Sequence, residues 1–245
     1  MKPHHARFRF HGCLNDFLPP DRRHVGIDYR FRDAPGIKDP VEALGVPHSE
    51  VGEIQVNNVP AGFGYQLQPG DQVEVHPRHP APPAQAPRFV VDVNLGRLAR
   101  WLRLLGFDTL WRNDLEDREI VDISVEESRI ILTRDRRLLF HRDILDGYWI
   151  RSDQPDRQAT EILDRLALWN HIRPFLRCTD CNGLIQVIAK ESIAHKLEPL
   201  TRKYYDRFFR CSQCGKIYWQ GSHYGNLMKK LQALNHARDH YHQHQ

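Results

Sequence analysis

Short apolar runs alternate with amphipathic stretches through the middle of the chain, between residues 88 and 170. Four runs have the length of strands, and they cover residues 88–93, 107–111, 129–134 and 147–151. Four helical patterns follow them in turn, near residues 95–105, 116–127, 136–145 and 155–168. Continuous apolar strands that alternate with helices are typical of a parallel sheet covered on both faces. The pattern predicts an α/β domain with a parallel sheet.

A period of two dominates the segment before residue 77. Phe8 and Phe10 alternate with arginines, a second alternating run covers 25–31, and Asp39 is placed to cap a short helix. Further strands are predicted at 51–56 and 72–76. Two strands, a helix and more strands resemble a ubiquitin-like β-grasp domain of the α+β class. The last strand runs into prolines and not into the Gly-Gly terminus of sulfur carriers, which argues against a carrier role and leaves an adaptor or RNA-presenting role open.

Prolines and cysteines divide the chain further. Residues 76–88 hold five prolines in thirteen positions, a density typical of a semi-rigid spacer. The predicted order is a β-grasp domain at 1–76, a Pro-rich linker at 77–87, the α/β domain at 88–170, a cysteine module at 171–228 and a basic, histidine-rich tail at 229–245.

Positive charge is concentrated at the C-terminal end. The formal net charge is +4, but residues 171–245 carry 12 lysines and arginines against 5 acids, a net charge of about +7. This asymmetry suggests a polyanionic partner.

The chain is expected to be cytoplasmic and without a membrane partner. No apolar stretch approaches the roughly 20 residues that span a bilayer. The N-terminal residues also lack the apolar region of a signal peptide.

Four of the five cysteines form two C-x-x-C pairs. Cys178 pairs with Cys181 and Cys211 with Cys214, and 29 residues separate the pairs. Two such knuckles supply the four thiolates of a structural Zn²⁺ site, and disulfides are disfavoured in a cytosolic chain. Basic residues and aromatics interleave at 203–210 and 216–219, which suits stacking of unpaired RNA bases. Some of these aromatics are alternatively core residues around the metal.

Aspartates follow the predicted strands of the α/β domain. Asp92 ends the first strand, Asp135 follows the third, Asp153 follows the fourth, and Asp117 begins a helix. Ligands of parallel sheets gather at the carboxyl ends of the strands, and crowded carboxylates repel one another unless a cation lies among them. Mg²⁺ or Mn²⁺ is the predicted ion, with water activation for phosphodiester attack as its chemistry. Structural roles stay open: Asp117 as a helix cap, Asp153 in a turn and Asp135 as a helix start.

Arginines recur at every third position of the first predicted helix in this domain. Arg97, Arg100 and Arg103 are predicted to share one face, and Arg134 lies beside Asp135. These four are candidate RNA-phosphate contacts, although a solvated charged face is an equally good interpretation of the helix.

Long segments of the chain resemble the Mut-seven C-terminal RNase family, a PIN-like nuclease domain fused to a zinc ribbon. The segments are "VDVNLGRLARWLRLLGFDT", "RIILTRDRRLL", "FLRCTDCNGLI" and "FFRCSQCGKIYWQGSHY". The resemblance implies cleavage of RNA dependent on Mg²⁺ or Mn²⁺. By position, Asp92 and Asp135 match the acids of the first and third strands. Asp117 matches the helix acid with Asp114 as a competitor, and Asp153 matches least well.

The resulting hypothesis is a metal-dependent ribonuclease whose zinc ribbon helps to bind RNA, with the ribosome or tRNA among the candidate partners. A non-catalytic RNA- or ribosome-binding adaptor is the alternative. A receiver-like phosphoacceptor domain also uses strand-end aspartates but leaves the cysteine module unexplained. The protein partner of the β-grasp domain is left open.

Overall fold

The computed structural model describes residues 3–78 and 81–221, together with residues 224–225, 227–229, 231–232 and 234. From residue 235 onward, the predicted histidine-rich tail lies outside the described residues. The chain forms two compact units. Unit 1 comprises Met1–Pro80 and Glu116–Trp149, and unit 2 comprises Ala81–Leu115 and Ile150–Gln245.

Most of the predicted elements form in the predicted order, generally with shorter bounds. The strands are β1 (His4–Phe10), β2 (Ile27–Phe31), β3 (Val51–Val56), β4 (Val59–Ala61), β5 (Gln72–Pro77), β6 (Phe89–Val91), β7 (Thr109–Leu110), β8 (Ile130–Thr133), β9 (Gly147–Trp149), β10 (Ile185–Ile188), β11 (Phe208–Cys211) and β12 (Ile217–Trp219). The α-helices are α1 (Lys38–Ala43), α2 (Gly96–Leu104), α3 (Asp117–Glu127), α4 (Pro155–Arg165), α5 (Lys190–Ile193) and α6 (Pro199–Tyr204).

Unit 1 contains the mixed five-stranded sheet of a β-grasp domain. The strand order is β2-β1-β5-β3-β4, in which β1 and β5 are parallel and the other neighbours are antiparallel. The period-two pattern produces this sheet because Phe8 and Phe10 point into the core while Arg7 and Arg9 face solvent. The N-terminal mixed sheet is confirmed. Asp39 lies inside the first turn of α1 and does not cap it, so that detail of the prediction is wrong.

Unit 1 also contains α3 and the parallel pair β8 and β9. Ile131 lies opposite Gly147 and Thr133 opposite Trp149, and α3 packs against β8. The helix predicted at 136–145 is wrong, because this segment contains one short 3-10 turn, Leu138–Phe140. Its backbone carbonyls at Leu139 and Ile144 face side chains of the β-grasp domain. The hydrogen bonds from His48 and Ser49 therefore favour a non-helical backbone in this segment, although its apolar residues fit a helix pattern.

Unit 2 contains the parallel pair β6 and β7, and α2 lies between them in the sequence. The fully buried Leu98, Leu102 and Leu105 form the apolar face of this helix region, and α2 packs against α4. Gly106 ends the helix with a φ of 99° and donates its amide to the carbonyl of Arg103. A Cβ at this position would lie 2.2 Å from the carbonyl oxygen of Arg173, so only glycine fits.

A small antiparallel sheet completes unit 2. Its strand order is β10-β11-β12, and the 29-residue spacer between the cysteine pairs holds β10, α5 and α6. The chain is thus an α/β protein with parallel strand pairs, an N-terminal mixed sheet and a C-terminal cysteine cluster that fits a zinc ribbon. Among the described residues, no helix is both long and apolar enough to cross a membrane.

Candidate metal centre and strand-end carboxylates

The two C-x-x-C pairs converge on one point of unit 2. The four Sγ atoms of Cys178, Cys181, Cys211 and Cys214 all lie within 4.8 Å of one another. The Sγ atoms are 3.7 Å apart for Cys178 and Cys214 and 3.3 Å apart for Cys181 and Cys211. Four thiolates about 2.3 Å from a tetrahedral ion lie about 3.8 Å apart, whereas sulfurs of a disulfide are about 2 Å apart. The group can hold a metal ion such as zinc.

The four thiols also influence one another's ionisation. Burial opposes ionisation of Cys211, yet hydrogen bonds from the backbone amides of Cys214 and Gln213 help to lower its pKa to about 7. A backbone hydrogen bond from Lys216 acts to lower the pKa of Cys214, but burial and the neighbouring thiols raise it to about 12. Close packing of the thiols thus separates their pKa values. A metal ion removes this conflict because it binds all four as thiolates.

Polar groups around the cysteines hold the first knuckle in place. The hydroxyl oxygen of Tyr218 lies 3.0 Å from the Sγ of Cys178, and burial raises the pKa of this tyrosine, so the phenol remains a donor. Lys216 binds Asp180 inside the knuckle at 2.6 Å and is the main cause of the lowered pKa of that carboxyl group. Such partners orient metal ligands and stabilise their negative charge.

Arg103 joins the knuckle to the helix α2. Its Nη1 donates to the carbonyl oxygens of Thr179 (3.2 Å) and Asp180 (2.7 Å), inside the first C-x-x-C pair. Its Nε and Nη2 donate to the carbonyl oxygens of Thr109 (2.9 Å) and Trp111 (3.2 Å). Burial lowers the pKa of Arg103 from its usual value, and the nearby cysteines and Asp180 oppose that shift. The side chain is a structural connection.

A second connection leads from Trp111 to the segment that follows β6. The indole Nε1 donates to the carbonyl oxygen of Val93 at 3.1 Å. A Cβ on Gly96 would lie 2.5 Å from the same indole ring, so the start of α2 is in close contact with it. Arg103 and Trp111 thereby connect the cysteine cluster with the residue next to Asp92.

Asp92 is the most buried of the predicted catalytic carboxylates. It directly follows β6, is 6% exposed, and occupies the N-cap position of a 3-10 turn, Val93–Leu95. Its Oδ1 accepts a hydrogen bond from the backbone amide of Asn94 at 3.2 Å. A carboxylate in an apolar strand end is costly to bury unless hydrogen bonds or a cation stabilise it. This environment is suited to a metal ligand.

Asp135 is held in a tight turn after β8. Its backbone amide donates to Oγ1 of the buried Thr133 at 2.8 Å, and its Oδ1 accepts from the amide of Arg137 at 2.8 Å. Asp135 itself is exposed to solvent. Because these bonds fix the backbone on both sides of Asp135, the position of its carboxylate is defined by the local turn.

Two neighbouring residues compete for the role of the helix acid. Asp117 is the exposed first residue of α3, where a carboxylate is favoured by the helix dipole. Asp114 forms an exposed ion pair with Arg112, with Nε and Oδ1 3.1 Å apart. Each residue has a sufficient structural explanation, and the choice between them stays a prediction.

Asp153 lies on the rim of an open surface depression at the start of α4. Glu161 accepts hydrogen bonds from the amides of Arg151 (3.0 Å) and Ser152 (3.1 Å), which orders the loop that carries Asp153. The depression also includes Arg157. Asp153 is exposed there, and its catalytic role stays a prediction.

The candidate RNA-contacting arginines are not equivalent. Arg97, Arg100 and Arg134 are exposed, as a phosphate contact requires. Arg103 is 2% exposed and uses its donors on four carbonyl groups, so we withdraw it from the set. The sequence pattern predicts one shared helix face for Arg97, Arg100 and Arg103, but only the first two are exposed. Trp111, which binds the residue after Asp92, is a residue that strand and spacing patterns alone did not single out.

Comparison with protein families gave two matches along the chain. The model of the Mut7-C RNAse domain matches residues 87–231, and the Mut7-C ubiquitin model matches residues 4–82. No curated protein and no solved structure matched the chain. The first match indicates a nuclease or RNA-related role.

Proposed function

Because the chain belongs to the family of the Mut7-C RNAse domain, we propose that it is a ribonuclease dependent on a divalent metal. The observation that carries the proposal is Asp92, a nearly buried carboxylate at the end of a parallel strand, in a domain of that family. Asp135, placed by a tight turn after another parallel strand, is the proposed second ligand. Asp117 and Asp153 are the remaining candidates for the acidic site.

The proposed chemistry is hydrolysis of a phosphodiester bond. Mg²⁺ or Mn²⁺, when bound, lowers the pKa of a water ligand and stabilises charge on the phosphate oxygens. Asp92 and Asp135 would hold the ion through carboxylate oxygens. The exposed Arg97, Arg100 and Arg134 would bind RNA phosphates and orient the strand.

For the cysteine cluster we propose a closed structural Zn²⁺ site. Four thiolates leave no open coordination position, so this ion would not take part in hydrolysis. The proposed role is to fold the small sheet and the helices between its strands, where the exposed Tyr204 at the end of α6 and Trp219 on β12 lie among basic residues of the sequence. Single-stranded RNA stacks on such side chains.

Activity measurements on purified full-length protein test the ribonuclease proposal. With Mn²⁺, we expect cleavage of RNA, and we expect Asp92→Asn and Asp135→Asn each to lower the rate by at least about 100-fold because a metal ligand is lost. Asp122→Asn is the matched control, since Asp122 is exposed on α3 and pairs with Arg118. Cleavage by Asp92→Asn at the parent rate would contradict the proposal.

A non-catalytic RNA-binding adaptor remains the second candidate. The exposed Tyr204 and Trp219, together with the net charge of about +7 over residues 171–245, favour RNA binding that needs no carboxylate. An adaptor would bind RNA equally well with Asp92→Asn, and Mn²⁺ titration would find no specific site that depends on Asp92 or Asp135.

A further inference from the structure

The β-grasp domain binds the segment of unit 1 that carries Asp135. We name residues 134–149 the Asp135 loop; they run from the end of β8 through the short strand β9, with one short 3-10 turn before that strand. Three consecutive side chains of the β-grasp domain, His48, Ser49 and Glu50, form hydrogen bonds to the backbone of this loop. They lie in the 3-10 turn before β3.

Each of the three side chains meets a different point of the Asp135 loop. The Nε2 of His48 lies 2.8 Å from the carbonyl oxygen of Ile144, and Ser49 Oγ donates to that of Leu139 at 3.3 Å. Glu50 Oε1 accepts from the backbone amide of Trp149 at 2.7 Å. The other ring nitrogen of His48 lies 2.5 Å from Glu42, which fixes the orientation of the imidazole.

Burial shows that these bonds are more than surface contacts. His48, Ser49 and Glu50 are 9%, 4% and 2% exposed. Three consecutive buried polar side chains are costly unless their hydrogen-bond partners are present, and a buried carboxylate is the most costly of them. The hydrogen-bond partners of His48 Nε2, Ser49 Oγ and Glu50 Oε1 are backbone groups of the Asp135 loop. The turn is therefore built to hold that loop.

Aromatic contacts bind both ends of the same loop. Trp149 packs against the core of the β-grasp domain and its ring centroid lies 5.2 Å from that of Phe17. The guanidinium carbon of Arg136, the residue after Asp135, lies 3.8 Å from the centroid of Trp149 and 5.7 Å from that of Phe17. These distances allow cation–π attraction. The backbone beside Asp135 is thus held from the β-grasp side.

We propose that the β-grasp domain is a positioning element of the nuclease, whose binding partner is the Asp135 loop of its own chain. Glu50 and His48 act as positioning residues, because they fix the loop and do not contact substrate. The proposal rests on the function proposed above, in which Asp135 is a metal ligand. It assigns the N-terminal domain a role in catalysis without requiring a separate protein partner.

The test compares two substitutions of Glu50 in the full-length protein. Glu50→Leu removes the acceptor for the amide of Trp149, while Glu50→Gln retains a carbonyl oxygen at that place. For Glu50→Leu we expect faster hydrogen–deuterium exchange across residues 134–149, unchanged exchange in β1 and β5, and a kcat at least about tenfold lower at unchanged KM for RNA. Glu50→Gln should recover most of both effects.

Two further variants keep the test decisive. Glu53→Leu is the matched control, since Glu53 is exposed on β3 and its carboxylate accepts a hydrogen bond from Gln55 of the same strand. We expect parental exchange and kcat for this variant. Arg136→Leu changes an exposed residue, so it tests the loop without emptying the core, and we expect a lower kcat with the unfolding midpoint retained.

The outcomes separate this proposal from the ribonuclease proposal. If the parent protein cuts no RNA with Mn²⁺, the proposed function fails. If the parent cuts RNA and Glu50→Leu either exchanges like the parent over 134–149 or keeps the parental kcat, the positioning role is overturned. A fall in kcat that Glu50→Gln fails to recover would also overturn the assigned hydrogen bond.

Discussion

Arg103 illustrates how neighbouring residues of one motif acquire different roles. Residues three apart on a helix drift by about 60° per step, so Arg103 is turned about 120° from Arg97. That rotation carries Arg103 toward the buried side, where four carbonyl groups surround its guanidinium. Arg97 and Arg100 stay exposed. The regular spacing therefore predicts a stripe, while helix geometry divides it into a structural residue and two candidates for RNA contact.

Replacement of Arg103 should destabilise the fold. Arg103→Met keeps much of the side-chain volume but removes every donor, and we expect the free energy of unfolding to fall by about 2–4 kcal/mol because buried carbonyls lose their partners. Arg100→Met, at an exposed position, should change it by less than about 0.5 kcal/mol. Denaturant unfolding of metal-loaded protein measures both values. Equal losses in the two variants would show that the four hydrogen bonds contribute no specific stability.

At the scale of elements, the small sheet of unit 2 depends on its cysteine cluster. The strands β10, β11 and β12 have only three or four residues each, and Val187 at the centre of β10 is 78% exposed. So little apolar burial cannot by itself offset the entropy of ordering the chain. Metal binding is the additional source of folding free energy in such modules.

Metal analysis tests this dependence. We expect one zinc ion per chain in purified protein, and we expect Cys181→Ser or a strong chelator to abolish amide protection in β10–β12 while β1–β5 keep theirs. Cys13→Ser is the matched control, because this fifth cysteine lies outside the cluster, and it should retain the full metal content. Protection of β11 that survives complete metal removal would contradict a metal-dependent sheet.

Most elements could be predicted because their patterns are local. The apolar periodicity that defines α2 and the alternation that defines β1 are consequences of local geometry. The segment 136–145 shows the limit of local patterns. Its apolar residues Leu138, Leu139 and Ile144 also fit a helix pattern, although no α-helix forms there. Its conformation depends on His48 and Ser49, about 90 residues away in sequence. A short stretch of sequence around residues 136–145 does not include these hydrogen-bond partners.

Some features of the candidate site could likewise be predicted from the sequence, and others could not. Cysteine spacing alone predicted the metal cluster, because a C-x-x-C pair brings two thiolates to one ion. The strand ends of Asp92 and Asp135 were also predicted from the apolar runs before them. The turn partners of these aspartates, such as Thr133 and Asn94, depend on backbone geometry that the pattern does not specify.

At the scale of the whole molecule, the uneven charge bears on how RNA is bound. Residues 171–245 carry a net charge of about +7, and four thiolates with Zn²⁺ would add about −2. A substantial positive charge therefore remains on the same part of the chain as the exposed Tyr204 and Trp219. Charge and stacking contribute to affinity in different ways, because salt weakens the first and leaves the second almost unchanged.

Salt titration of RNA binding separates the two contributions. Using Asp92→Asn to prevent cleavage, we expect log K to fall linearly with log salt concentration, by about 0.7 per neutralised phosphate of single-stranded RNA. The double variant Arg97→Gln with Arg100→Gln should make this slope shallower by about 1.4, since two phosphate contacts are lost. Trp219→Ala should instead lower affinity by about 1–3 kcal/mol at every salt concentration while the slope stays constant.

Cleavage kinetics of the same variants test whether α2 orients RNA for cleavage or only adds positive charge. If Arg97 and Arg100 orient RNA for cleavage, the double variant must lower kcat in the otherwise unchanged protein as well as make the slope shallower. Arg207→Gln, at an exposed position within the aromatic and basic segment before β11, should make the slope shallower and raise KM while kcat stays at the parental value. Equal effects of both changes on cleavage would mean that α2 only adds charge, whereas an unchanged slope in the double variant would remove α2 from the RNA-binding surface.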